Sequence, residues 1–234
     1  MKFTIDGEEI TATEGQTIME AADAAGVYIP RLCDHKGLRH QGSCRVCTVK
    51  VDGWSAAACT EPARDGASVA SETPDVKHLR ADLVAMLFLE GNHLCPICEA
   101  SGNCELQAMA YRMSESQPTK FPNLTPNRPV DASHPDIALD TNRCITCGRC
   151  VRASNDVDGK GVFGYVGRGI KRQLSVDGNC LAETTLEATD AAVQQHICPV
   201  GCIIRKGEGF AVPIGQRVFD TELIGSDIED KADE

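Results

Sequence analysis

The chain has 234 residues, with 34 Asp and Glu against 23 Lys and Arg, for a net charge of -11; that is length for two or three compact units but not for a large catalytic domain. The charge excludes the basic stripe of a nucleic-acid surface, and six Phe with three Tyr show no base-stacking pattern. No apolar run approaches the roughly 20 residues of a bilayer span. Met1-Lys2-Phe3-Thr4-Ile5-Asp6-Gly7 carries no apolar signal segment, so the thirteen cysteines are expected in a reducing, cytoplasmic setting rather than in disulfides.

In chain order, Phe3-Thr4-Ile5, a turn at Asp6-Gly7 and the alternating Glu9-Ile10-Thr11-Ala12 read as a hairpin. Ile18, Ala21, Ala22 and Ala25 then recur at helical spacing over 17–25, closed by Gly26. A polar loop from Cys33 to Cys47 leads into a strand over 47–51, a turn at Asp52-Gly53 and a return over 54–59. The pattern predicts a β-grasp, [2Fe-2S] ferredoxin-like domain over 1–73 within an overall α+β chain. Its cysteines, Cys33, Cys44, Cys47 and Cys59, are spaced C-x10-C-x2-C-x11-C, and four thiolates so placed can enclose a [2Fe-2S] cluster. Gly42 and Ser43 leave backbone N–H groups free to point at sulfur. Structural zinc is the alternative; zinc ribbons pair two C-x2-C knuckles and this unit has one, so the spacing favours the cluster.

Thr73-Pro74 supplies a cap and a first-turn proline for a helix whose Val76, Leu79, Leu83 and Leu87 share one face, ended by Gly91. The helix delivers His93, Cys95, Cys98 and Cys104, a tight loop turned by Gly102 and Asn103, and an amphipathic segment bearing Leu106, Ala110 and Met113 leaves it. This predicts a helical cluster domain over 74–113 whose ligands are one histidine and three cysteines. The alternatives are a surface His93, with Cys95, Cys98 and Cys104 binding iron beside an external ligand, and a Cys3His zinc site; His78 is the competing histidine. Five prolines between 114 and 136 (Pro118, Pro122, Pro126, Pro129 and Pro135) mark an extended linker.

A strand at Ile137-Ala138-Leu139 opens the last unit, a ferredoxin-like [4Fe-4S] domain over 137–234. Cys144, Cys147 and Cys150 form the C-x2-C-x2-C run that wraps one corner of a [4Fe-4S] cubane, and Ser154 stands where the bacterial pattern places its next cysteine. The fourth ligand is expected at Cys198, in a Cys-Pro return. Segments 162–166 and 173–176 read as strands, and 190–195 as a short helix. Cys202 lacks a following proline, Cys180 reads as an incidental turn thiol, and the acidic end 227–234 reads as a solvated tail.

Together these residues resemble the cluster-bearing amino-terminal region of the large iron-sulfur subunit of complex I and of iron-only hydrogenases. The likeness of Glu90-Gly91-Asn92-His93-Leu94-Cys95, Gly102-Asn103-Cys104-Glu105-Leu106-Gln107, Ile197-Cys198-Pro199-Val200-Gly201 and Pro213-Ile214-Gly215 is narrower: they resemble the small diaphorase subunit of soluble NAD-reducing [NiFe] hydrogenases. The resemblance implies one [2Fe-2S] and two [4Fe-4S] clusters on the three sets, with His93 as the unusual ligand. Here His93 precedes Cys95 by two residues, where complex I usually places its histidine four before the first cysteine. It also implies FMN and NAD on a flavoprotein diaphorase partner, and a [NiFe] hydrogenase small subunit, leading to the large subunit, as the other partner.

The residues independently suit a relay without a catalytic centre of its own. Hydride chemistry needs a flavin to split electron pairs, yet no Gly-rich dinucleotide fingerprint follows a strand, and the glycines from Gly164 to Gly169 lie in no such context. The alternatives are a complex I-like or NAD-dependent formate dehydrogenase assembly, whose much longer chains continue past this point, and a zinc-stabilised interaction protein.

Overall fold

The computed structural model describes residues 1–114, 120–194 and 196–230. The hairpin forms as β1 (Lys2–Ile5) and β2 (Glu8–Thr11), paired antiparallel. Its turn needs positive φ at both centres, which Asp6 (50°) and Gly7 (93°) supply. Helix α1 (Ile18–Ala24) starts at a capping box in which the Thr17 side chain accepts from the Glu20 backbone N–H and the Glu20 carboxylate accepts from Thr17. Strands β3 (Thr48–Val51) and β4 (Trp54–Ala57) return around Asp52-Gly53.

The sheet is completed by β5 (Ser68–Ala70), which lies between β1 and β3, parallel to the first and antiparallel to the second, in the order β2-β1-β5-β3-β4. One face buries Phe3, Ile5, Val49, Val51 and Val69 against Ile18, Met19, Ala21 and Ala22. This is the β-grasp arrangement, and it pins both ends of the 33–47 loop.

Helix α2 (Pro74–Leu89) buries Val76, Arg80, Val84 and Ala85. The face therefore differs from the expected leucine stripe: Leu79 is 40% exposed, whereas the Arg80 guanidinium is enclosed. Arg80 donates to the Thr48 carbonyl through Nε (3.2 Å) and Nη2 (2.9 Å) and to Ser71 Oγ (2.9 Å), so hydrogen bonds to β3 select the register that apolar spacing alone did not. Helix α3 (Glu105–Arg112) buries Leu106 through Ala110 and packs against α2.

From 120 to 136 the chain is stitched rather than loose. Leu124 N–H donates to the Leu89 carbonyl (2.7 Å), and Arg128 and Asn142 exchange bonds of 2.7 and 2.9 Å. Pro118 of the expected linker lies outside the described residues.

The last unit holds two ribbons, β6 (Ile137–Leu139) with β9 (Ile203–Arg205) and β7 (Phe163–Val166) with β8 (Gln173–Val176). Helix α4 (Arg149–Arg152) runs on into a π-helical turn, Ala153–Val157. The short helix expected over 190–195 is a 3-10 turn, Ala191–Val193, and Gln195 lies outside the described residues. The acidic end is not wholly solvated: Glu229, in α-helical Ser226–Glu229, takes a bidentate contact from Arg112, while 231–234 lie outside the described residues.

One hydrophobic core joins the 33–46 loop, α2, α3 and the last unit, with Cys33, Leu38 and Val46 packed in the same cluster as Leu106, Cys147, Cys150 and Val200. No helix among the described residues is long and apolar enough to cross a membrane.

Candidate metal centres

The first set is gathered by the loop between α1 and β3. Positive φ at Gly42 (65°) and Arg45 (61°) bends the chain on either side of Cys44. Sulfurs pair: Cys33 N–H donates to Cys44 Sγ (3.4 Å) and Cys44 N–H to Cys33 Sγ (3.5 Å), while the Cys47 and Cys59 sulfurs are 3.4 Å apart. Cys33, Cys47 and Cys59 are fully buried. Hydrogen bonding from Cys59 outweighs burial and brings the Cys47 thiol down to about 7. Cys44, Cys59 and the Ser43 hydroxyl bond the Cys33 sulfur and lower it further.

The second set follows α2. Cys95 opens a one-turn 3-10 helix (Cys95–Ile97), and Gly102 at φ 80° returns the chain to Cys104, which caps α3 by accepting from the Gln107 N–H (3.5 Å). Gln107 Oε1 in turn accepts from the Gly102 N–H (2.7 Å), fixing the loop. The Cys104 sulfur is 3.5 Å from the Pro199 carbonyl, and burial drives its thiol well up. Cys98 faces Gly201, where a Cβ would come within 3.2 Å of its sulfur.

His93 lines a cavity of about 330 Å³ together with Cys95, Phe88, Gly91, Gln107 and Tyr111. Its ring packs against Gly91 and edge-on to Phe88, with centroids 5.5 Å apart. Nε2 is buried with no hydrogen-bond partner among the described residues, and burial, reinforced by Arg143, lowers the imidazole to about 4. It is therefore held neutral at pH 7, with a lone pair free for a metal. His78 does not compete: it is exposed on α2, 3.6 Å from Asp82 and 3.4 Å from Lys120 Nζ.

The third set is bent by positive φ at Thr146 (51°) and Gly148 (73°), and Cys150 is buried in the neighbourhood of Cys144, Cys147 and Cys198. Cys198 Sγ is bonded by the Cys202 thiol and by the N–H groups of Ile203, Val200 and Cys202; these outweigh burial and lower it to about 7. Cys202 is buried against both Cys144 and Cys198, contacts that push its own thiol well up. Cys180 stands apart, 3.2 Å from Ser133 Oγ. Among the described residues, no three His, Cys, Asp or Glu side chains close on a single ion-sized point.

Sequence reasoning missed the charged groups that join the sets. Arg149 is 2% exposed and forks onto Glu105 through Nη1–Oε1 and Nη2–Oε2 bonds of 2.7 Å each, so the residue before Cys150 grips the residue after Cys104. The Glu105 N–H also donates to the Pro199 carbonyl (2.9 Å). Their one sequence signal is position: Arg149 and Arg152 are spaced i, i+3 on the helix that carries Cys150.

Three family models match the chain: a 2Fe-2S iron-sulfur cluster binding domain over 1–74, an NADH-ubiquinone oxidoreductase-G iron-sulfur binding region over 80–117, and the ferredoxin-like domain of NADH-quinone oxidoreductase subunit 3 over 134–204. The chain thus carries a 2Fe-2S domain and iron-sulfur binding regions of the 4Fe-4S kind. It is 40% identical over 225 residues to the NAD-reducing hydrogenase HoxS subunit gamma of Cupriavidus necator, covering 96% of this chain and 95% of that protein. A chain in a crystal structure of NAD+-reducing [NiFe]-hydrogenase in the H2-reduced state superposes with a TM-score of 0.89 at 47% identity, covering 94% of this chain and 93% of that one. The mitochondrial NADH-ubiquinone oxidoreductase 78 kDa subunit of Candida albicans is 35% identical over 90% of this chain, which spans 29% of that protein.

Proposed function

We propose that this chain, which belongs to the family of the gamma subunit of NAD-reducing hydrogenase and is an iron-sulfur electron-transfer subunit of an oxidoreductase, carries single electrons between a flavoprotein diaphorase subunit holding FMN and NAD(H) and the small subunit of a [NiFe] hydrogenase, and through it the large subunit. The observation that supports this most is the direct contact between the three thiol sets. Cys104 of the second touches Pro199, next to Cys198 of the third, and Arg152 donates to carbonyls of both Cys33 in the first and Cys147 in the third.

In this reading Cys33, Cys44, Cys47 and Cys59 hold a [2Fe-2S] cluster, in keeping with their two sulfur pairs. His93, Cys95, Cys98 and Cys104 hold a [4Fe-4S] cluster, the buried, unpartnered Nε2 serving as the non-thiolate ligand. Cys144, Cys147, Cys150 and Cys198 hold the second [4Fe-4S] cluster. Cys198 is preferred to Cys202 because it stands in a Cys-Pro return, Cys198-Pro199, of the kind that supplies the last ligand in ferredoxin-like folds. Such clusters, when bound, take up and release one electron at a time. The chain's own residues bury the sulfurs, donate hydrogen bonds to them and exclude water. The flavin and NAD belong to the partner because the sequence has no dinucleotide fingerprint. In this reading the assembly works in the cytoplasm.

A complex I-like assembly is the second reading, favoured by the match to the Candida albicans relative. Replacing Cys144 with Ala in the assembled complex decides whether the chain is the conduit. H2-dependent NAD+ reduction is expected to be lost while H2 oxidation and NADH oxidation with artificial acceptors persist. Coupled turnover at the parent rate would refute the relay.

A further inference from the structure

Three arginines are buried, Arg80, Arg149 and Arg152, at 2%, 2% and 3% exposure. The first two have carboxylate partners, Glu72 at 3.4 Å and Glu105 at 2.7 Å. Among the described residues no carboxylate pairs with Arg152. Every acceptor it meets is a main-chain carbonyl: Gly148 through Nε (3.2 Å), Arg39 through Nη1, and through Nη2 both Cys33 and Cys147 (3.5 Å). A desolvated cation costs several kcal/mol unless an opposite charge lies near, so the position asks for negative charge that the ordinary side chains do not provide.

The surroundings identify that charge. Arg152 sits one turn beyond Cys147, on the helix that carries Cys150, and its fork spans to the loop that carries Cys33 and Cys44. That loop presses on the same spot: a Cβ on Gly148 (φ 73°) would meet the Gln41 side chain at 2.5 Å. The guanidinium thus touches a ligand residue of the first set and a ligand residue of the third at once.

We propose that Arg152 is a positioning residue shared by the first and third centres, its one buried positive charge serving as counter-charge to both and holding their loops in register for electron transfer between them. The proposal rests on the cluster assignment given above. A positive charge stabilises the form of a cluster that carries the extra electron, so Arg152 raises the reduction potentials of both centres; none of its hydrogen bonds among the described residues reaches the His93 set, whose potential it is expected to leave unchanged. It also accounts for the use of Arg here, since a planar fork can serve two carbonyls that a lysine ammonium cannot serve together.

The test is EPR-monitored redox titration of the intact complex carrying R152Q or R152K, with iron and sulfide counted on the same samples. In R152Q the [2Fe-2S] midpoint and one [4Fe-4S] midpoint are both expected to fall, by at least tenfold in the reduction equilibrium, about 59 mV for one electron, with the His93-set midpoint unchanged. R152K decides alone if R152Q does not load its clusters: at least one of the two midpoints falls and the His93-set midpoint does not. Loaded variants with all three midpoints at parent values, an R152Q shift confined to one centre, or an equal shift of all three would overturn the proposal. A parent protein lacking the three clusters would instead overturn the assignment beneath it.

Discussion

Glu105→Ala separates the buried Arg149 guanidinium from the only carboxylate that pairs with it among the described residues. Arg149 is 2% exposed, its fork on Glu105 closes at 2.7 Å on both arms, and the acceptor that remains is the His196 carbonyl at 3.0 Å. Breaking such a pair by removing one partner costs about 3–5 kcal/mol, set against a total of about 5–15 kcal/mol for a domain. That is about two to four powers of ten in the folding equilibrium. Because the pair ties the residue after Cys104 to the residue before Cys150, the loss falls on the second and third centres together. Urea unfolding followed by circular dichroism under anaerobic conditions, with iron counted alongside, measures both. The double variant E105L/R149M removes the charge as well as its partner and is expected to recover most of the loss. A Glu105→Ala protein within about 1 kcal/mol of the parent, or a double variant less stable than the single, would show that the pair does not hold the loops.

Arg80→Ala should cost about 3 kcal/mol, since it leaves the Thr48 carbonyl and Ser71 hydroxyl buried without their charged donor; the urea midpoint reads it. Gly201→Val should crowd Cys98 and lower iron loading at the second centre, seen as loss of one [4Fe-4S] signal with the [2Fe-2S] signal intact. Burial pulls the His40 imidazole down, but Asp34 (2.7 Å from Nδ1) and Glu20 (3.4 Å from Nε2) outweigh it and its pKa ends raised. Folding is therefore favoured by protonation: the contribution is fully present below the ordinary pKa near 6.5 and lost as pH rises through the folded value. His40→Asn should flatten the stability-pH curve across that window, and an unchanged curve would exclude the contribution. His93→Cys should lower the midpoint of its cluster, because a thiolate adds negative charge where a neutral imidazole stood; an unchanged midpoint would remove His93 from the ligand set.

The cysteine spacings made the three thiol sets legible because each proposed ligand loop is local: C-x2-C places two sulfurs within one turn, and Gly42, Gly102 and Gly148 mark the bends. The hairpins were legible for the same reason, through Asp6-Gly7 and Asp52-Gly53. Strand β5 was not, since three residues, Ser68–Ala70, are too few to show alternation and owe their place to neighbours some 60 and some 20 residues earlier in the chain. The buried face of α2 was misread because Arg80 counts as polar in any periodicity, and only the Thr48 carbonyl shows that its charge has partners inside. Arg149 and Arg152 were hidden likewise: what they do depends on residues about 40 to 120 positions away, and no local pattern encodes those meetings.

The most direct test of the account is EPR of the anaerobically purified, dithionite-reduced protein, with iron, sulfide and zinc counted on the same sample. Three occupied centres predict one [2Fe-2S] and two [4Fe-4S] signatures and about ten irons per chain. An EPR-silent protein loaded with zinc would contradict electron transfer through this chain.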